Sequence, residues 1–281
     1  MSTDKDIFKT MMDFALEAGD VAMKFWDKAK AGLKADRSVI TEADKTISRM
    51  VHKKLSRYLK DPNHILIDEE DPDVARFQNL NTLKRAKYVW SVDPIDGTRN
   101  YANHIPSFAV SIGILKDLKP WMGAVYFPAF GELLFHYGKK AVFVRHPGTK
   151  NEKRKTITPV DVEISSKTYF LATDVFFKKF DWDHKDCRVQ IQSCAAVEMC
   201  WPALGRCCGS LTKSSLWDFA GSWPIIRAAG LDMRSMSTGQ KLDRLDLNCF
   251  SREIPWRLKD FYIISSAKNF LTFKNKISQN K

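Results

Sequence analysis

One stretch constrains the fold more than any other: KYVWSVDPIDGTRNY, from Lys87 to Tyr101. Its first half, KYVWSVD, is rich in β-branched and aromatic residues and reads as a strand. Two carboxylates then stand three residues apart, Asp93 and Asp96, on either side of Pro94. Pro94 blocks an ordinary ladder and fixes its own φ, while Gly97 permits close backbone approach, so a sharp turn is expected after Val92. Both carboxylates then converge on one point. Like charges held so close shift each other's pKa unless a cation sits between them, and hard oxygen donors suit Mg²⁺. Thr98 adds a hydroxyl where a short helix can start, beside N–H groups that favour phosphate. The same residues also make an ordinary turn with an Asx cap, and taken alone the hexapeptide favours that simpler account.

Other acids stand in matching contexts. Glu69 follows the short buried strand HILID as Asp93 follows KYVWSV, so the two strand ends can present their carboxylates at one sheet edge. Asp218, in LWDFAGSWP, falls at the start of a helix, where capping is its ordinary role. Asp44, in TEAD, completes a capping box with Thr41.

Around these motifs the pattern is regular. Apolar residues from Ile7 to Phe25 recur at steps of three and four, predicting a helix over Lys5 to Lys30. A second helix begins near TEAD and stops at Asp61-Pro62. After the motif, FAVSIGIL, MGAVYF, ELLFHYG and AVFVR suit an antiparallel meander. Beyond a basic loop at 148 to 158, short strands alternate with helical stretches, and Pro224 is expected to kink or restart the helix that begins at Leu216. The expectation is one unit over 1–281, with an α+β half to about 147 and an α/β half from 148.

With 281 residues, of which 44% are apolar, the chain can fill a substantial core. Its formal charge of +12 attracts anionic partners such as phosphorylated metabolites, nucleic acid or an acidic membrane surface without choosing among them. KNEKRK (150–155) and HKKLSRYLK (52–60) lack the interleaved aromatics of single-strand binders and read as solvated faces. The N-terminal stretch has no unbroken apolar run of the signal-peptide kind, and no segment is apolar enough to span a bilayer. A soluble, cytoplasmic protein is expected. The six cysteines form no CxxC pair and the six histidines no HExxH, so buried thiols are expected rather than zinc or disulfides.

The ordered set TEAD, IDEED, DPIDGTRNY and WDFAG, over roughly residues 36 to 230, resembles the inositol monophosphatase family, within the lithium-sensitive, Mg²⁺-dependent sugar phosphatases. The resemblance implies a layered sandwich of alternating helices and sheets. It also implies that Glu69, Asp93 and the Ile95 carbonyl hold one Mg²⁺, that Asp93, Asp96 and Asp218 hold a second, and that a third ion binds more weakly. Asp96, Gly97 and Thr98 would face the phosphate, and Thr98 with Asp44 would orient the attacking water. Two such cations, about 3.5–4 Å apart in sites of this kind, activate water and stabilise the leaving alkoxide, so no covalent intermediate is required. Relatives are often dimers, and a homodimer is the expectation carried over.

Three departures bear on the substrate. The glycine of the family's GEE is Asp68 here, expected to point to solvent because successive strand residues face opposite ways. In QSCAAVEMCWPALGRCCGS the stretch at Ser193, Cys194 and Ala195 resembles the one that contacts the substrate's ring, but Ser193 replaces a glycine and Cys208 an aspartate. The glutamate that meets sugar hydroxyls finds only Leu211-Thr212-Lys213, which speaks against strict myo-inositol selectivity. Lys213 can meet a second phosphate. The expected activity is hydrolysis of a small phosphate monoester, an inositol phosphate or a related sugar or nucleotide phosphate. The alternatives are a bisphosphate phosphatase acting on fructose 1,6-bisphosphate or 3′-phosphoadenosine 5′-phosphate, a histidinol-phosphatase, or a binding protein for RNA or the transcription apparatus that retains the fold.

Overall fold

The apolar stripe that begins at Ile7 buries one face of α1 (Asp4–Trp26), in a computed structural model that describes residues 3–34, 38–182 and 187–279. A capping box between Thr3 and Asp6 starts this helix, which ends short of the expected Lys30. β1 (Gly32–Leu33) and β2 (Val39–Ile40) form a small antiparallel pair, and the Thr41–Asp44 capping box opens α2 (Glu42–Leu59). β3 (His64–Asp68) pairs in parallel with β4 (Tyr88–Asp96), with α3 (Leu80–Arg85) between them in sequence. After α4 (Thr98–Ala102), the strands β5 (Ala109–Lys116), β6 (Lys119–Phe127), β7 (Glu132–Tyr137), β8 (Lys140–Arg145) and β9 (Lys153–Ile157) meander antiparallel. Together with β3 and β4 they make a seven-stranded sheet in sequence order. The basic stretch read as a loop is therefore partly an edge strand that carries the sheet past residue 147. The exposed Lys153, Arg154 and Lys155 put charge on that edge, which discourages the addition of further strands.

The second half supplies β10 (Tyr169–Ala172), α5 (Phe176–Lys179), β11 (Phe180–Trp182), β12 (Arg188–Ile191), α6 (Ala195–Ala203), β13 (Gly209–Thr212), α7 (Leu216–Ala220), α8 (Trp223–Ala228), β14 (Asp232–Ser235), β15 (Tyr262–Ser265), α9 (Ala267–Lys276) and β16 (Ile277–Gln279). Five of these strands form a second sheet, ordered β12-β10-β13-β15-β14, in which β15 is antiparallel to both neighbours. The helix at Leu216 restarts as expected: α7 ends at Ala220 and α8 begins with Pro224 in its first turn, where a missing N–H costs nothing.

Layers follow from which faces are apolar. α1 and α2 cover one face of the large sheet, with Phe14, Ala18, Ile47 and Val51 in one cluster with Trp90, Val92 and Ile112. Val125 and Leu134, from that sheet, share a second cluster with Val197, Phe219 and Ile225 from α6, α7 and α8. Phe273 of α9 packs with Phe170 and Ile263 of the small sheet. The order is helix, sheet, helix, sheet, helix, the layered sandwich expected. Arg206 clamps two layers by donating to both carboxylate oxygens of Glu132, at 2.7 and 2.6 Å. None of the described helices is long and apolar enough to cross a membrane.

One expectation is corrected here. Asp68 does turn away from Glu69, but the face it turns to is covered by α2, so it is fully buried rather than solvated. Ser48 Oγ donates to it at 2.6 Å, and the half-exposed His52 places Nε2 3.2 Å away. The hydrogen bond to Asp68 raises the His52 pKa above its ordinary value. A raised histidine pKa adds stability below the unfolded value of about 6.5 and loses it as pH rises through the folded value. Asp68→Asn should bring the His52 titration, followed by NMR, back toward the ordinary value.

The middle layer depends on two glycines. Gly113 and Gly123 face each other across β5 and β6, and a Cβ on either would overlap the backbone of Ala220 or Gly221. Gly113→Ala or Gly123→Ala should cost about 1–3 kcal/mol as overpacking, read as a lower urea midpoint with an unchanged m-value.

Candidate active site

The parallel pairing of β3 and β4 sets the geometry. Asp68 lies opposite Val92, and the Glu69 N–H donates to the Val92 carbonyl at 3.1 Å, so Glu69 leaves the sheet beside Asp93. The chain does not turn sharply after Val92. β4 stays paired with β5 at Asp93↔Ser111 and again at Asp96↔Ala109, three steps against two, which is a bulge at Pro94 and Ile95. The missing N–H of Pro94 falls in this bulge, where the ladder is already open. In a regular strand, residues three apart face opposite ways; the extra residue restores the parity, and Asp93 and Asp96 point to one side. The turn itself comes at Gly97, whose φ of 84° is left-handed.

Asp218 arrives from the opposite layer. It sits in the first turn of α7, where it accepts from the Ser215 N–H at 2.6 Å. One carboxylate oxygen each from Asp93, Asp96 and Asp218 then lies within 4.8 Å of the others. Burial first, then the charges on Glu69, Asp96 and Asp218, push the Asp93 carboxyl well above its usual range. Burial raises Asp96 to about 6 against the N–H groups of Ala196 and Ala195, and raises Asp218 to about 8 with help from the charges on Asp96 and Glu69. Asp93 Oδ1 and Asp44 Oδ1 are buried without a hydrogen-bond partner. An all-oxygen donor set with crowded charge and partnerless oxygens fits a hard divalent cation.

Asp96 has a second role. It accepts from the Ala195 N–H at 3.1 Å, from the Ala196 N–H and from the Cys194 thiol at 3.3 Å, so it caps α6. Thr98 Oγ1 donates to the Ile95 carbonyl at 2.9 Å. Asp44 Oδ2 accepts from the N–H and hydroxyl of Thr41 at 2.8 and 2.5 Å, and burial lifts its carboxyl to about 6. The rest of the motif is scaffold. Asn100 Nδ2 donates to the carbonyls of Ser107 and Gln192, and the buried Tyr101 hydroxyl donates to the Ala22 carbonyl. Ser193 adopts a φ of 51°, the left-handed region that explains why a glycine is favoured at this position.

A cleft of about 170 Å³ opens beside Asp218 and brings in Ser193, Cys194, Ala195 and Lys213. It also holds a residue the sequence reading missed. Glu198, on α6, is buried among apolar neighbours and lines the cleft with Thr212. The conclusion that no acid was available near Thr212 is thereby corrected: it comes from another element. Its signal was a lone acid in the apolar helical run AAVEMCWPA. Burial pushes its carboxyl well above the usual range. Lys34, also missed, pairs with Glu69 at 3.1 Å and Glu70 at 2.6 Å. Cys208 sits away from the cleft, with its sulfur 3.9 Å from that of Cys187.

A profile of the inositol monophosphatase family matches residues 4–269. The chain belongs to the inositol monophosphatase family. Among curated relatives, a fructose-1,6-bisphosphatase/inositol-1-monophosphatase of Aquifex aeolicus is 25% identical over 225 residues, 77% of this chain and 80% of its own. An inositol monophosphatase of Mesembryanthemum crystallinum is 26% identical over 238 residues, 80% of this chain and 83% of its own. A solved IMPase/NADP phosphatase, complexed with NADP and Ca²⁺, superposes with a TM-score of 0.73 at 17% identity, over 98% of this chain and 96% of that one. As a member of this metal-dependent family, the chain is a phosphatase of phosphate monoesters.

Without metal, Asp96 and Asp218 hold their protons to higher pH folded than unfolded. The stability they lend is present below their ordinary 3.8 and is lost as pH rises through about 6 and about 8. Thermal unfolding of chelated protein should therefore move to lower temperature between those values. Mg²⁺ at 100 times its Kd should restore about 2.7 kcal/mol at neutral pH, and Asp93→Asn should abolish most of that gain.

Proposed function

We propose that the protein hydrolyses a small phosphate monoester with Mg²⁺ held by Glu69, Asp93, the Ile95 carbonyl, Asp96 and Asp218, as two or three ions. The observation that carries this reading is the meeting of three carboxylates, from two layers of the fold, around one point with a partnerless Asp93 oxygen. When bound, such ions lower the pKa of an attacking water and neutralise charge on the phosphoryl group.

The chain's own residues do the rest. Gly97 and Thr98, at the start of α4, offer N–H groups and a hydroxyl to phosphate. Asp44 has an oxygen free to accept a hydrogen bond from water, and its raised carboxyl suits a base working near neutrality. Asp96 keeps the first turn of α6 against the site through the N–H groups it accepts. Cys194 is an unsuitable nucleophile, because burial and the Asp96 charge raise its thiol well above the usual range. Water is then the attacking group, and no covalent enzyme intermediate forms.

The carrier of the phosphate is a sugar, cyclitol or nucleotide, the range spanned by the names of the relatives. Six unbridged cysteines support a reducing, cytoplasmic setting. A homodimer rests on family membership and is checked by sedimentation equilibrium.

Phosphate release from a panel of inositol, fructose, histidinol and adenosine phosphates should require Mg²⁺ and fall as Li⁺ rises at fixed Mg²⁺. Asp93→Asn should lower the rate about 100-fold or more. Asp44→Asn should lower kcat while keeping the thermal shift with Mg²⁺. A wild-type protein silent on the whole panel would sink the proposal.

A further inference from the structure

The cleft beside Asp218 does not end at the acidic cluster. It adjoins a larger cavity of about 960 Å³, and Lys213 and Arg257 line both. The larger cavity is also lined by Lys179, Arg252 and Lys259, against a single carboxylate, Glu253. The cluster is built for a cation, and the ground next to it is built for an anion.

The two shared cations are placed, not scattered. Lys213 directly follows the buried last residue of β13 and lies over the Phe261 ring at 5.2 Å. Arg257 is held by the bridge between its backbone and Ser215, flanked by the Leu216 N–H donating to the Trp256 carbonyl at 2.9 Å and the Leu258 N–H to the Ser214 carbonyl at 3.0 Å. Trp256, fully buried, takes a φ of 59°, a left-handed conformation that is costly for a bulky residue. Its N–H donates to Gln78 Oε1 and its indole N–H to the Val74 carbonyl, and these contacts hold the strained turn that leads into Arg257. Strain kept by a web of contacts, next to a cation at a catalytic cleft, is the pattern of a binding position.

Among the described residues, neither Lys213 nor Arg257 has a carboxylate within ion-pair distance. Both are partly buried, so each has given up water without a protein partner in return. Ser214 lies between them in the cleft lining, 93% buried by its 7% exposure, and its hydroxyl has no partner. Two cations and one partnerless hydroxyl form the donor set that a phosphate accepts from.

We infer that Lys213, Arg257 and Ser214 form a subsite for a second phosphate, so that the preferred substrate is a small bisphosphate whose other phosphate meets the acidic cluster. This rests on the phosphatase reading above and adds to it which esters are favoured. Sugar and nucleotide carriers share the chemistry the subsite reads, and matched pairs separate them.

The test compares kcat/KM, with Mg²⁺, for fructose 1,6-bisphosphate against fructose 1-phosphate, and for adenosine 3′,5′-bisphosphate against adenosine 3′-monophosphate. In at least one pair the wild-type protein should prefer the bisphosphate about tenfold or more. Lys213→Gln and Arg257→Gln should each cut that ratio about tenfold, mainly through KM, and Lys213→Arg should restore most of it. A ratio near one in both pairs, or a ratio that neither substitution moves, overturns the subsite. If neither ester of a pair is hydrolysed, it is the phosphatase reading that fails. Calorimetric titration of the same esters onto Mg²⁺-loaded protein then decides the subsite, with tighter bisphosphate binding upholding it and equal affinities overturning it.

Discussion

The site depends on a contact between backbones. Gly113 and Gly123 leave a bare patch in the middle of the large sheet, and the end of α7 at Ala220-Gly221 lies directly on it. Only because no side chain intervenes can a carboxylate on α7 reach those at the end of β4. A residue with a Cβ at either position would push the helix outward, and Asp218 would leave the company of Asp93 and Asp96. The acid cluster is the most electrostatically costly feature of the fold, and its neighbours are held by the least adorned contact in it.

That cost explains why the surrounding elements are so firmly tied. Carboxylates crowded at low solvent access oppose folding until a cation joins them. The cluster is surrounded by large buried side chains, among them Trp90, Tyr101, Phe108 and Phe219, and by polar ties such as Asn100 to Gln192. Rigidity gained there holds in place charges that would otherwise move apart.

Much of this was legible in the sequence. Helix periodicity, the meander and the restart at Pro224 followed from local chemistry, and the order of TEAD, IDEED, DPIDGTRNY and WDFAG pointed to the family. What was not legible depended on other elements. Pro94 read as the end of a strand because a bulge needs a partner strand to exist, and β5 supplies it. Alternation turned Asp68 away from Glu69, but only the packing of α2 decided that this meant burial beneath Ser48 and His52. Glu198 and Arg257 belong to the cleft through tertiary placement, with Glu198 betrayed only by its apolar neighbours and Arg257 by no local pattern at all.

Asp96 belongs to two structures at once. Its carboxylate completes the acidic triad, and it also holds the N–H groups that begin α6, the helix that carries Glu198 into the cleft. A cation drawing on Asp96 therefore competes with the anchoring of that helix, and a substrate gripping Glu198 alters the cluster's grip on its cation by the same free energy. Metal occupancy and substrate choice are in this way thermodynamically linked through one side chain.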